Sequence, residues 1–295
     1  MEYTVEALKS FKPEKEFFVG IDSDGCAFDS MEIKHKECFC PAFIKHFELQ
    51  AISKYAREGW EFVNLYSKSR GCNRFHAVLQ VVGLLAERAE VQARNVAVPL
   101  LEELLGWTKR ETKLGNPVLK AEVEQNPTAE MTQCYRWSIE VNERIADLVK
   151  NVPPFPIVRE SLERIRERAD AIVVSQTPSE ALIREWDENK IDGYVRFIAG
   201  QELGTKSEHI SFAAKGKYGP NKLLMIGDAP GDHKAAKDND ALFFPVIPGQ
   251  EESWWDRFYD EALDKFFGGT YAGAYEEELV NEFDRHLPDT PPWKS

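Results

Sequence analysis

Short apolar runs rich in β-forming residues alternate with helical patterns in two separate parts of the chain. The first run covers residues 17–21 and stops abruptly at the polar sequence DSDG. Similar runs return later, at residues 171–174, 194–198, 223–226 and 242–246. Helical patterns lie between them, at residues 158–169, 179–189 and 233–237. Strands that alternate with helices predict an α/β fold with a Rossmann-like parallel sheet covered on both faces.

Residues 30–152 show a different pattern, in which apolar residues recur at helical spacing and no strand signal intervenes. Glycines and Asn-Pro pairs predict the breaks between successive helices, at Gly71, Gly106, 116–117 and 126–127. We therefore expect an all-helical domain formed by residues 30–152. It would be inserted into an α/β core made of residues 1–29 and 153–250.

Residues 251–295 contain two more helical patterns. The first is rich in tryptophan and phenylalanine and ends at Gly268-Gly269, and the second covers about residues 274–285. We expect this C-terminal helical extension to pack on the core or on a second subunit of a homodimer. Aromatic residues at helical spacing are typical of a packing face.

Polar side chains follow three of the predicted strands. Asp22 and Asp24 come directly after the first run, Ser175 follows residues 171–174, and Asp228 and Asp232 follow residues 223–226. Ligands of open α/β sheets bind at the carboxyl ends of the strands, where these residues would lie. The alternative for each is a turn or a helix cap.

The charge balance limits the classes of partner. The chain of 295 residues has a formal net charge of -13, so it has no overall basic footprint for nucleic acid or an anionic membrane. The sequence shows no signal-peptide pattern and no membrane-spanning run, and we expect a cytoplasmic protein. The five cysteines are scattered, which favours reduced thiols over a disulfide framework or a zinc site.

Four motifs in order resemble the haloacid dehalogenase superfamily, in particular its phosphatases with a helical cap inserted after the first motif. The matching stretches are FFVGIDSDGC, AIVVSQT, GTKSEHI with Lys206, and LLMIGDAPGD. The resemblance spans residues 17 to about 247 and is weak within the helical insertion. Cys26, Ser23 and Ser207 depart from the residues most common in the family, although none of these departures removes a reactive group.

The resemblance implies a role for each motif. Asp22 would attack phosphorus to form an aspartyl-phosphate, and Asp24 would protonate the leaving oxygen and later deprotonate water. Ser175 would bind a phosphoryl oxygen and Lys206 would neutralise its charge. Asp228 would hold Mg²⁺ together with Asp22 and the backbone carbonyl of Asp24, and Asp232 would bind the metal or orient its ligand shell.

The resemblance also implies a small phosphorylated metabolite as the substrate and a cap that closes over it. Basic Arg70 and Arg74, in the polar stretch KSRGCNR, are candidate contacts to the leaving group because guanidinium suits anionic oxygens. Gln176, beside Ser175, is a third candidate substrate contact. A solvated basic loop is the alternative for the two arginines.

Three other functions compete with a phosphatase. A sugar-phosphate mutase would keep all four motifs, so the motifs do not separate it from a phosphatase. A dehalogenase would lack the second aspartate, and Asp24 and Asp228 argue against it. A non-catalytic binding module is disfavoured because it would have no reason to keep a costly cluster of charges.

Overall fold

The computed structural model describes residues 3–294, which form two compact units. The α/β unit contains the described residues up to Ser30 together with Asn151–Leu287, and the helical unit contains Met31–Lys150 and the residues from Pro288 onward. The chain therefore passes from one unit to the other after Ser30, after Lys150 and after Leu287.

A five-stranded sheet with the order β3-β2-β1-β4-β5 forms the centre of the α/β unit, and every pair of neighbours is parallel. All strand residues are buried, which agrees with the uninterrupted apolar runs of the sequence. The fold class predicted from the sequence is confirmed. The strands are β1 (Phe17–Ile21), β2 (Ala169–Val174), β3 (Phe197–Ala199), β4 (Leu223–Gly227) and β5 (Leu242–Pro245).

Helices cover both faces of this sheet, as expected for parallel strands joined by crossover helices. The π-helical turn Phe258–Ala262 and the short 3₁₀ turns Asp192–Tyr194 and Gln201–Leu203 also belong to the unit. The α-helices within it are Val5–Lys9, Val158–Arg168, Ser179–Glu188, Lys206–Ala214, Pro230–Asp238, Glu251–Arg257, Leu263–Gly268 and Ala274–His286.

The helical unit has its own hydrophobic core, in which Trp60, Trp107 and Trp137 are fully buried. The short helix Ser30–Ile33 leads into it and continues as the π-helical turn Lys34–Phe39. The other helical segments are Cys40–His46, Gln50–Ile52, Ser53–Asn64, Arg74–Glu87, Ala89–Gln92, Glu102–Arg110, Asn116–Gln125, Ala129–Leu148 and Pro292–Lys294. No helix in the described part of the chain combines the length and apolarity needed to cross a bilayer.

Three local sequence predictions were wrong. Gly106 does not break a helix but lies inside Glu102–Arg110, where the buried Leu104 and Trp107 hold the helix against the core. A glycine costs such a helix only about 1 kcal/mol, which packing readily offsets. The strand predicted at residues 194–198 is shorter and later, and the helix predicted at residues 233–237 begins earlier, at Pro230.

The segment after residue 250 is divided between the two units. Trp254, Trp255 and Phe266 lie in the core of the α/β unit. Trp293, in contrast, packs on the helical unit, edge-on to Phe62 at a ring-centroid distance of 5.7 Å and with its ring 4.4 Å from the guanidinium carbon of Arg88. The sequence pattern treats residues 251–295 as one extension, whereas the structure separates them at Leu287.

Candidate active site

The three central strands end side by side, and each end carries a polar residue. Asp22 follows β1, Ser175 follows β2 and Asp228 follows β4. β1 lies between the other two strands in the sheet, so the three side chains share one edge. Asp22 is 5% exposed, Ser175 2% and Asp228 1%. Burial of two carboxylates is costly unless charges or hydrogen bonds compensate for it.

Lys206 provides the compensating positive charge. Its Nζ lies 2.6 Å from Oδ2 of Asp22 and 2.6 Å from Oδ1 of Asp232. Lys206 is the first residue of helix Lys206–Ala214, whose start is fixed by a capping box between Thr205 and Glu208. The capped start of this helix therefore determines where the ammonium group enters the site.

Asp22, Asp228 and Asp232 form a buried cluster in which one carboxylate oxygen from each residue lies within 4.8 Å of the other two. Asp232 is held by a hydrogen bond that its Oδ2 accepts from the backbone N–H of Ala229, at 3.1 Å. Gly227 permits this approach, because a Cβ at that position would lie 2.3 Å from Cβ of Asp232. Three hard oxygen donors this close together fit a divalent cation such as Mg²⁺.

The electrostatics of the cluster favour an additional cation. Burial raises the pKa of Asp22 well above its ordinary value, and the negative charges of Asp232 and Asp228 add to that rise against the opposing charge of Lys206. Burial also raises the pKa of Asp232, again against Lys206. The pKa of Lys206, which burial alone would lower, lies above its ordinary value because the three carboxylates outweigh burial. One ammonium therefore does not balance three carboxylates.

Asp24 is partly buried, and both of its oxygens are hydrogen-bonded. Thr177 donates its hydroxyl to Oδ2 at 2.6 Å, and Ser30 donates its hydroxyl to Oδ1. Ser30 and Thr177 were not predicted as site residues. Thr177 lies close to the strand end that carries Ser175, which is the one signal in the sequence that points to it.

A second network that the sequence did not indicate holds the loop after β1. The backbone N–H of Ser23 donates to Oδ1 of Asp22 at 2.8 Å. The fully buried hydroxyl of Ser23 accepts from the indole N–H of Trp186 at 2.9 Å and donates to Oε2 of Glu185 at 3.2 Å. A serine in place of the apolar residue more usual here is thus fully hydrogen-bonded in the core.

Ser175 and Gln176 differ in exposure although they are neighbours. The backbone N–H of Ser175 donates to the carbonyl of Ala199 at 3.0 Å, and its hydroxyl accepts from the N–H of Thr177 at 3.2 Å. Gln176 is exposed, and its amide donates to the carbonyl of Gly204 at 2.9 Å. The latter bond joins the end of β2 to the loop that leads to Lys206.

Arg70 and Arg74 belong to the helical unit, and each binds neighbours there. Arg70 is 4% exposed and donates to the carbonyl of Leu65 at 3.0 Å. Arg74 donates to Oγ of Ser138 at 3.0 Å and to Oδ1 of Asn142 at 2.8 Å. Burial lowers the pKa of Arg74 to about 10. Both arginines thus have structural partners inside their own unit, and a substrate contact by either remains a prediction.

Comparison with known families adds one decisive match. Residues 100–246 match the family model described as haloacid dehalogenase-like hydrolase. This stretch contains the strand ends that carry Ser175 and Asp228, together with Lys206. The chain belongs to the haloacid dehalogenase-like hydrolase family.

The similarity of this hydrolase to individual proteins is low. A structure from Lactobacillus delbrueckii subsp. bulgaricus, assigned as a phosphoglycolate phosphatase, is 17% identical with a TM-score of 0.46, covering 83% of this chain and 92% of the other. A hydrolase from Pseudomonas syringae is 16% identical with a TM-score of 0.45, and the match covers 82% of this chain and 90% of the other. No curated protein matches the sequence. These distant likenesses do not indicate a substrate for the haloacid dehalogenase-like hydrolase described here.

Proposed function

We propose that this hydrolase is a Mg²⁺-dependent phosphatase that cleaves a small phosphorylated metabolite through an aspartyl-phosphate at Asp22. The observation that carries the proposal is the convergence at one sheet edge of a buried carboxylate nucleophile, a lysine bound to it and two further carboxylates. An acid/base carboxylate, Asp24, lies two residues from the nucleophile.

An anionic nucleophile and an anionic phosphoryl group repel each other, and the repulsion is strong where water is excluded. Lys206 offsets part of it through its contact with Asp22. Asp22, Asp228 and Asp232 would hold Mg²⁺ through their oxygens, and the bound ion would supply charge neutralisation to the phosphoryl oxygens. Both the repulsion between the anionic groups and the closeness of the three carboxylates support a role for cations.

In the first step, a carboxylate oxygen of Asp22 forms a bond to phosphorus while the ester P–O bond breaks. Asp24 gives its proton to the departing oxygen, so the product leaves as an alcohol. Ser175 donates its hydroxyl to a phosphoryl oxygen, and Lys206 stabilises the charge that builds up on the others.

In the second step, water attacks phosphorus and gives a proton to Asp24. The bond between phosphorus and the Asp22 oxygen breaks, which releases inorganic phosphate and restores the free carboxylate. Asp24 thus acts first as an acid and then as a base, and its proton balance is closed after one turnover.

Hydrolysis of p-nitrophenyl phosphate, measured with Mg²⁺ and with EDTA, tests the proposal. We expect phosphate release that depends on Mg²⁺ and is lost in Asp22→Asn, with a matched control in Asp187→Asn, an exposed carboxylate elsewhere in the α/β unit. Activity that survives both EDTA and Asp22→Asn would rule the mechanism out. With a panel of sugar phosphates, isomerised products that retain their phosphate would instead indicate a mutase.

A further inference from the structure

The hydroxyl of Thr177 links two parts of the site that come from different strands. Its Oγ1 donates to Oδ2 of Asp24 at 2.6 Å, a short hydrogen bond to a carboxylate. Thr177 follows β2, whereas Asp24 follows β1, and the two residues are separated by 153 positions in the sequence. The bond therefore ties the orientation of the Asp24 side chain to the end of the neighbouring strand.

The backbone of Thr177 is itself held in place from two directions. Its N–H donates to the hydroxyl of Ser175 at 3.2 Å, and its carbonyl accepts from the N–H of Gln201 at 3.1 Å. Helix Ser179–Glu188 begins two residues later, after Pro178. With both backbone groups bonded and a helix start beside it, Thr177 has little freedom to move its hydroxyl away from Asp24.

The other oxygen of Asp24 accepts from Ser30, the last residue of the α/β unit before the chain enters the helical unit. Two donors on two different segments fix the plane of the carboxylate as well as its position. A side chain that must deliver a proton to one oxygen atom gains most from such an arrangement, because small displacements of reacting groups lower rates steeply.

We propose that Thr177 is a positioning residue that aims the Asp24 carboxylate for proton transfer to the leaving group. This inference rests on the proposed phosphatase function and adds to it a residue that the motif pattern does not assign. Its specific consequence concerns the leaving group. An ester that expels a stable phenolate needs little protonation, whereas one that expels a more basic oxygen depends on a well-aimed acid.

The test compares two aryl phosphates of similar shape, p-nitrophenyl phosphate and phenyl phosphate, with the intact Mg²⁺-loaded enzyme. In Thr177→Val we expect kcat/KM for phenyl phosphate to fall roughly ten- to a hundredfold, which is part of the roughly 10²- to 10⁴-fold that general acid catalysis contributes. We expect the value for p-nitrophenyl phosphate to fall less than about threefold, because its leaving group needs little proton transfer. Thr177→Ser restores the hydroxyl and should restore both values.

Two further variants separate positioning from folding. Thr177→Ala removes the same hydroxyl without adding a methyl group and replaces the valine variant if that variant does not fold. Thr128→Val removes a threonine hydroxyl that caps helix Ala129–Leu148 in the helical unit, so it controls for a general loss of stability. For Thr128→Val we expect the ratio of kcat/KM for phenyl phosphate to kcat/KM for p-nitrophenyl phosphate to equal that of the wild type.

The outcomes distinguish this inference from the proposed function. A wild-type protein that does not hydrolyse either ester with Mg²⁺ overturns both. An active wild type whose ratio of kcat/KM values is unchanged in the valine and alanine variants overturns the role of Thr177 alone. Equal losses on the two esters, or no recovery in Thr177→Ser, would show that the residue only supports the fold.

Discussion

His209 should make the stability of this protein depend on pH in a measurable way. The residue lies on helix Lys206–Ala214 and is fully buried. Burial, followed by the charge of the neighbouring Lys206, lowers its pKa from 6.5 to about 4, against smaller opposing effects of Glu208 and nearby backbone. The folded protein therefore resists protonation of this imidazole.

The sign follows from proton linkage. Between about pH 6.5 and 4 the unfolded chain binds a proton at His209 that the folded chain does not, so the unfolding free energy falls as the solution is acidified through this window. Above about pH 6.5 the imidazole is neutral in both states and the effect disappears. This pKa difference between the unfolded and folded states lowers the unfolding free energy by roughly 2 kcal/mol at about pH 5. The loss approaches about 3 kcal/mol at lower pH.

Urea unfolding of the wild type and of His209→Leu, in EDTA at about pH 7.5 and pH 5, measures this contribution. The pH-dependent carboxylates are common to both proteins, so the comparison isolates the histidine. We expect the variant to gain about 2 kcal/mol relative to the wild type between the two conditions. The matched control is His286→Leu, at an exposed position of the same unit. A difference between variant and wild type that stays constant with pH would refute the reasoning.

Three other substitutions test the packing around the site and in the helical unit. Gly227→Ala forces the Asp232 side chain to move, so we expect the unfolding free energy in urea to fall by about 1–3 kcal/mol. The variant should also need more Mg²⁺ for activity, and an unchanged Mg²⁺ requirement would contradict this. Lys206→Met leaves buried carboxylates without their partner and should destabilise the protein by about 3–5 kcal/mol in EDTA, with partial recovery in Mg²⁺ melts. Trp293→Ala removes the ring beside Arg88 and should lower the free energy of opening of the helical unit, measured by hydrogen exchange, by roughly 1–2 kcal/mol. Unaltered protection of helix Arg74–Glu87 would argue against this role of Trp293.

The strand ends could be predicted from sequence because the physical signals were local. An apolar run that stops at a carboxylate identifies both a buried strand and a polar group at its end, as at Asp22 and Asp228. The family resemblance then assigned Lys206, whose position depends on a loop and a helix cap rather than on a strand. Sequence periodicity alone would not have selected it from the lysines nearby.

Other features depended on contacts between distant residues and had no local signal. The hydrogen bonds of Asp24 to Thr177 and of Ser23 to Trp186 join segments more than 150 positions apart. The local sequence of one segment does not predict its contact with the other. The prediction of a break at Gly106 was wrong because tertiary packing overrides a small helix propensity. The return of the chain to the helical unit after Leu287 had no local signal either, because the contacts of Trp293 with Phe62 and Arg88 join distant residues.

The tail after Leu287 completes the surface of a unit that is encoded much earlier in the chain. Arg88 is only 5% exposed and is stacked between the rings of Tyr55 and Trp293, each 4.4 Å from its guanidinium carbon. Lys294 also forms an ion pair with Glu87. During synthesis these contacts become available only after Trp293 and Lys294 have left the ribosome, long after residue 150. A fragment ending at Lys150 would present the guanidinium of Arg88 to solvent on the face that Trp293 covers.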